Sequence, residues 1–130
     1  MIEQLVPRVF AIRDMAHKAH WRTGSDAQHR ALGEFYDAVI PAIDAVVEMH
    51  QGMFGLIEPD DKAELPTDFV RSGPPGTHYP TMIAQTFRDE ADWIETNREL
   101  LSSGVGAIGN LLDGLTGIYL KAAYKLENLS

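Results

Sequence analysis

Two histidines and three carboxylates in the first fifty residues carry the chemistry that the sequence suggests. His20 and His29 lie on either side of a turn, and Asp44 and Glu48 follow four residues apart. On a helix such a spacing stacks the two carboxylates on adjacent turns, so a cation between them would relieve their repulsion. Projected at about 100° per residue, His29, Asp37, Asp44 and Glu48 fall on one strip beside the apolar face. Imidazole and carboxylate donors together suit iron or another divalent metal, which makes these five residues the candidate metal ligands.

Each candidate also has a purely structural interpretation. A single histidine on an apolar stripe, such as His20, is more often a hydrogen-bonded core residue than a ligand. His29 follows a helix start and could simply be exposed, and the acids could form a solvated flank. Glu90 is either out of phase with its stripe and exposed, or a buried partner of His20. His50 and His78 have no carboxylate pattern around them, so we expect them to be structural.

The elements that must position these residues are helices. Apolar residues recur at helical spacing on both sides of a proline-rich stretch, and no segment shows the alternation of a strand. The pattern predicts helices over residues 3–22, 27–54, 81–102 and 105–128. Ser25 and Asp26 are candidate N-caps of the second helix, and Pro80 suits the first position of the third. Pro41 should kink the second helix, because it removes a backbone hydrogen bond.

The lengths of the connections indicate how the helices are arranged. A short link, a long crossover and a second short link are the connectivity of a ferritin-like four-helix bundle. The crossover holds five of the seven prolines, and we expect one short helical turn over residues 60–70 within it. The expected fold is all-α: one ferritin-like four-helix bundle domain over residues 1–130, with Tyr36 and Tyr119 packed in its core.

Composition excludes several classes of function. The 130 residues include no cysteine, which excludes a disulfide framework, an iron–sulfur cluster and thiol catalysis. The formal net charge of −8 argues against binding to nucleic acid or to an anionic membrane. No apolar run approaches the roughly 20 residues that cross a bilayer, and no signal peptide is visible. We therefore expect no membrane partner, no DNA binding and a cytoplasmic location.

The order of the candidate residues resembles the Dps branch of the ferritin-like superfamily. In that family a His-Trp pair ends the first helix, a histidine opens the second, and Asp-x-x-x-Glu lies deeper along it. His20-Trp21, His29 and Asp44-x-x-x-Glu48 match this pattern. The resemblance implies a homo-oligomer, either a dimer or a 12-subunit shell, with di-iron ferroxidase sites at two-fold interfaces. One subunit would supply the histidines, and its neighbour the Asp-x-x-x-Glu pair.

Three features depart from that family. Gly33 stands where the family places an aspartate, and Asp37 is one turn further along the helix. The link between His20-Trp21 and His29 is shorter than usual. The sequence also shows no lysine-rich N-terminal tail, the segment that the family uses to bind DNA. A mononuclear metal site is therefore an alternative to a dinuclear one.

The sequence is also similar to small Dps-related proteins of unknown function encoded in bacteriophage genomes. They share a His-Trp…His…Phe-Tyr…Asp-x-x-x-Glu core, which ends here in His50-Gln51-Gly52. The leading hypothesis is a Dps-like protein that binds iron and oxidises or sequesters it. The alternative is a non-catalytic four-helix bundle that acts as a phage structural or assembly protein, with its acids as a solvated face. If phage-encoded, the protein would act in the host cytoplasm.

Overall fold

The computed structural model describes residues 1–63 and 80–128, and this part of the protein is all-α. The described residues contain no strand, which confirms the predicted fold class at this level. Their five helices are α1 (Ile2–Arg22), α2 (Asp26–Phe54), α3 (Pro80–Thr96), α4 (Arg98–Ser102) and α5 (Gly106–Asn128). The predicted helices correspond to α1, α2, α3 with α4, and α5, each within one residue at its outer ends.

Helix α1 contains a proline, and the chain compensates for it. Pro7 has no N–H, so it cannot donate to the carbonyl oxygen of Glu3 one turn earlier. The N–H of Asp60 donates to that oxygen instead, at 3.0 Å. This bond ties the start of the crossover to the first turn of α1. The bond replaces the hydrogen bond that Pro7 cannot supply, so this backbone oxygen keeps a partner within the protein.

Helix α2 begins and ends as its residues predict. The Ser25 hydroxyl accepts a hydrogen bond from the N–H of Gln28 at 3.3 Å, which confirms Ser25 as the N-cap. Gly55 follows the last turn with φ of +96°, a conformation that side chains with a Cβ rarely adopt. Pro41 lies inside the helix with its ring exposed, and α2 continues through it. The kink at Pro41 stays a prediction.

The third predicted helix differs from the structure at one residue. Asn97 separates α3 from α4, so the expectation of one helix over residues 81–102 is wrong there. Its φ of −101° and ψ of 9° depart from helical geometry. The side-chain amide of Asn97 donates to the carbonyl oxygen of Trp93 at 2.8 Å, the local competition that makes asparagine a poor residue within helices.

Two expectations fall wholly or partly outside the described residues. The helical turn expected over residues 60–70 is absent from residues 60–63, which are not helical, and the rest of that range is not described. His78 also lies outside the described residues.

Three aromatic rings from different helices meet in the core. Phe35 of α2 stacks on Phe87 of α3 with ring centroids 4.3 Å apart, and Tyr119 of α5 lies 5.2 Å from Phe35. All three side chains are buried, which confirms the core position predicted for Tyr119. Tyr36, also expected in the core, is only partly buried at its edge. These rings join the faces along which α2, α3 and α5 pack together.

One buried ion pair connects α1 to α3. The Arg8 guanidinium donates to both Glu90 carboxylate oxygens, at 2.9 and 2.6 Å, and also lies 4.2 Å from the centre of the Trp93 ring. The side chain of Glu90 is only 5% exposed. The interpretation of Glu90 as an exposed acid is therefore wrong. The other interpretation is right about its burial and wrong about its partner, which is Arg8 and not His20. Its buried charge is matched by Arg8, as buried carboxylates require.

We expect Arg8→Met to lower the free energy of unfolding by about 3 kcal/mol, because it leaves the Glu90 carboxylate buried without a partner. Urea unfolding followed by circular dichroism measures the change. The double variant Arg8→Met/Glu90→Leu is the control, and it should recover most of the loss. An Arg8→Met protein as stable as the wild type would show that Arg8 does not stabilise the buried Glu90 carboxylate.

The hydroxyl of Tyr119 is the unusual polar group in the core. It is fully buried and makes no hydrogen bond in the described part of the chain. Burial, reinforced by the nearby negative charge of Glu90, raises the pKa of Tyr119 well above its ordinary value. At alkaline pH values at which the tyrosine of an unfolded chain would ionise, the folded protein therefore keeps the Tyr119 phenol protonated.

Tyr119→Phe should raise the free energy of unfolding by about 1 kcal/mol at neutral pH, because it removes a buried hydroxyl without a partner. A raised folded-state pKa also makes stability fall as pH rises above the unfolded value of about 10. The Tyr119→Phe variant has no phenol to ionise, so it should not show this part of the decrease in stability at alkaline pH. Urea unfolding between about pH 7 and pH 11 tests both points, and a less stable variant at pH 7 would mean that the hydroxyl is bonded in solution.

Candidate functional site

The turn between α1 and α2 brings His20 and His29 into direct contact. The His20 Nδ1 lies 2.6 Å from the carbonyl oxygen of His29, and the His29 Nδ1 lies 2.8 Å from the carbonyl oxygen of His20. The two rings stack, with centroids 3.6 Å apart and planes inclined by 20°. We call this arrangement the histidine clasp. Two residues that the sequence singled out separately thus form one unit.

The clasp determines which ring nitrogens are available. A carbonyl oxygen only accepts hydrogen bonds, so each Nδ1 must carry the proton. In the neutral ring the lone pair is then on Nε2, and no hydrogen bond in the described residues involves either Nε2. Metal-binding histidines commonly use their second ring N–H in this way, to fix the ring on a carbonyl oxygen. Both Nε2 atoms could therefore accept a metal ion.

The same hydrogen bonds also have a structural effect. The carbonyl of His20 is in the last turn of α1, where helix carbonyls lack partners within the helix. The imidazole N–H of His29 satisfies it and joins the end of α1 to the start of α2. The clasp therefore supports the structural interpretation of these histidines as well as the chemical one.

Gly33 makes room for the His20 ring. A Cβ atom at Gly33 would lie 3.2 Å from the His20 Cε1, which is tighter than most Cβ contacts, and 3.4 Å from its Nδ1, which is at the edge of ordinary van der Waals contact. A side chain at this position would therefore require the ring to shift by a few tenths of an ångström. The glycine leaves the His20 ring room in its present position.

A third histidine, absent from the predicted site, lies next to the clasp. The His17 ring stacks on Tyr36 with centroids 4.2 Å apart, and lies 4.7 Å from the Trp21 ring. Its centroid is 6.3 Å from that of His20. The available signal was the spacing, since residues three apart share a helix face. His17, Tyr36 and Trp21 surround one side of the clasp.

The predicted carboxylates lie elsewhere. Asp44 is 15 residues after His29 on the same helix, which places it about 22 Å away along the axis, and Glu48 is about 28 Å away. Asp37 is about 12 Å from His29 by the same rule. All three acids are exposed. Within one chain, the imidazole donors and the carboxylate donors therefore lie too far apart to bind the same ion.

Asp44 and Glu48 border a surface groove between α1 and α2. Its apolar wall includes Val6, Val47 and Phe10, and the Phe10 ring is 46% exposed. Within residues 1–63 and 80–128, no group of three or more histidine or acidic side chains is arranged to hold a metal ion. A site with three or more such donors, drawn from these described residues alone, would need a second molecule.

The fold and the clasp define an all-α protein with paired histidines where α1 connects to α2. Among the described helices, none is long and apolar enough to cross a membrane. The chain belongs to the family of unknown function DUF5856, whose model matches residues 20–126. The match begins at His20, so it includes both histidines and all three acids. Comparisons with curated proteins and with solved structures found no match.

His29→Phe should lower the free energy of unfolding by about 1 kcal/mol, because it keeps a stacking ring but leaves the His20 carbonyl without its donor. Thermal unfolding should show a fall in Tm of about 4 °C. Arg30→Ala, at the next position and also exposed, is the matched control; it removes only an exposed ion pair with Asp26 and should lower Tm by no more than about 2 °C. An unchanged Tm for His29→Phe would mean that the clasp does not stabilise the turn.

Proposed function

We propose that the protein is a cytoplasmic, Dps-like iron-binding protein with a ferritin-like bundle fold, which oxidises or sequesters iron at sites shared between two copies. His20 and His29 of one copy would face Asp44 and Glu48 of the other. The observation that carries the proposal is the clasp, in which both Nδ1 atoms are fixed on carbonyl oxygens and both Nε2 atoms are left without a hydrogen bond. The order of these residues along the chain, similar to Dps, supports it as well.

The separation of the donors supports the need for a second copy. Along α2, Asp44 lies about 22 Å from His29 and Glu48 about 28 Å from it. Two copies related by a two-fold axis, with their α2 helices antiparallel, would place each pair of histidines near the other copy's acids. Such an interface is self-complementary, so it creates two equal sites. The exposed ring of Phe10 and the apolar groove beside Asp44 and Glu48 would be covered in the same contact.

The donor set fits iron in both oxidation states. Imidazole nitrogens suit the ferrous ion, and carboxylate oxygens suit the harder ferric product. Stacked rings 3.6 Å apart are too close to share one ion, so each imidazole would bind its own unless the stack opens. Gly33 supplies no carboxylate, so one of the two ions would have fewer oxygen ligands. Asp37 lies about 12 Å along α2 from His29 and about 10 Å from Asp44, so it would not join these donors on one ion.

The alternative function is that of a non-catalytic bundle in an assembly, such as a phage structural protein. Two observations favour it. The clasp already satisfies a helix-end carbonyl, so the histidines have a structural role without a metal. Large apolar side chains are exposed where α2 ends, with Phe54 at 53% and Leu56 at 91%, and a protein partner could cover them.

Anaerobic titration with ferrous iron, followed by exposure to air, tests the proposal when oligomer mass is measured by light scattering. We expect a discrete oligomer that binds and oxidises iron. His20→Ala/His29→Ala and Asp44→Asn/Glu48→Gln should each lose iron uptake while remaining helical. Glu95→Gln, an exposed acid on α3, is the control and should leave uptake unchanged. Unchanged iron uptake in both double variants would contradict the assignment of these four residues as ligands.

Mixing the two inactive variants tests whether the site is shared. In a mixed dimer one site combines two altered halves and the other combines two intact halves. Random association should therefore restore about one quarter of the wild-type sites. A restored fraction near zero, from variants shown to exchange subunits, would contradict a shared site. If the protein is a monomer that takes up no iron, the assembly function is the alternative that remains.

A further inference from the structure

We propose that His17 and His20 form a second kind of metal site, a two-imidazole chelate within one chain for a borderline divalent metal of the copper and nickel class. The site needs neither the carboxylates nor a second copy. It shares His20 with the proposed iron site, and the variants below separate the two.

Ring separations favour this pair over the clasp. A metal ion about 2.1 Å from a ring nitrogen lies about 3.2 Å from the ring centroid, so two rings on one ion have centroids roughly 4.5 to 6.4 Å apart. His17 and His20, at 6.3 Å, fall at the upper end of this range, which corresponds to two nitrogens on nearly opposite sides of the ion. His20 and His29, at 3.6 Å, fall below it. The pair that can share an ion without opening the clasp is therefore His17 with His20.

Both rings are held in place while keeping a free nitrogen. The clasp fixes His20 through its Nδ1 and leaves its Nε2 without a hydrogen bond. Neither ring nitrogen of His17 has a hydrogen bond in the described residues, and its ring is positioned by stacking on Tyr36 and by contact with Trp21. Positioned ligands lose little conformational freedom on binding. The helix supplies the rest of the geometry, because residues three apart lie on neighbouring turns of one face.

The donor type determines the class of metal. Hard ions such as magnesium and calcium need oxygen ligands. Two imidazoles on nearly opposite sides of an ion, with water in the remaining positions, suit square-planar or tetragonal copper and nickel better than tetrahedral zinc. Among these ions copper(II) binds nitrogen donors most tightly. The structure therefore assigns the His17–His20 pair to a metal that the carboxylates of the proposed iron site would not select.

Titration of the whole protein with copper(II) alone tests this inference. We expect one tight ion per chain, with an electron paramagnetic resonance spectrum that shows two coordinating nitrogens. His17→Phe keeps the stack on Tyr36 but removes both nitrogens, so affinity should fall at least tenfold and one nitrogen should vanish from the spectrum. His50→Gln is the matched control, because His50 is a half-buried histidine outside the cluster, and its variant should bind as the wild type does.

Two outcomes would overturn the inference: a His17→Phe protein with wild-type affinity and spectrum, or a His50→Gln protein with the same loss as His17→Phe. The Asp44→Asn/Glu48→Gln variant separates the two proposals. It should retain copper(II) binding while losing iron uptake, and His17→Phe should show the reverse. Loss of copper(II) binding in the carboxylate variant would contradict a site made by histidines alone.

Discussion

The reciprocal hydrogen bonds between His20 and His29 are the interaction on which the rest of the site depends. Each imidazole donates to the other residue's backbone carbonyl, so the bonds fix both rings and the turn that connects α1 with α2. They also fix the position of the proton on each ring, and with it the nitrogen that is free to bind a metal. Gly33 has no side chain, so the His20 ring occupies its position without the shift of a few tenths of an ångström that a Cβ would require. One local contact thus determines helix geometry and ligand chemistry together.

Elsewhere the fold is held by polar groups whose partners lie far away in sequence. Pro7 frees a carbonyl within α1, and the N–H of Asp60 takes it, which joins the crossover to the first helix. Glu90 is buried and satisfied by Arg8, which joins α3 to α1. Hydrophobic burial supplies most of the driving force but is not directional, so bonds of this kind specify how the helices are placed relative to one another.

The sequence was sufficient for the elements and insufficient for the contacts between them. Apolar periodicity and cap residues such as Ser25 located the helices, because both signals are local. The break at Asn97 was missed, since a side chain that competes for a backbone carbonyl leaves no mark on periodicity. The pairing of Glu90 with Arg8 spans 82 positions and depends on how helices pack. His20 and His29 were identified as candidates, but their mutual capping and the part played by His17 require the three-dimensional turn.

The distance between nitrogen and oxygen donors gives the two proposed metal sites opposite requirements. A single chain presents imidazoles on their own, which favour borderline metals, while its carboxylates lie about 22 Å away. Association of two copies would add the carboxylates and shift the preference towards iron. Both sites use the Nε2 of His20, so they compete for the same atom and cannot be filled together. In that case the metal that the protein binds depends on its oligomeric state, and assembly itself becomes the step that selects iron.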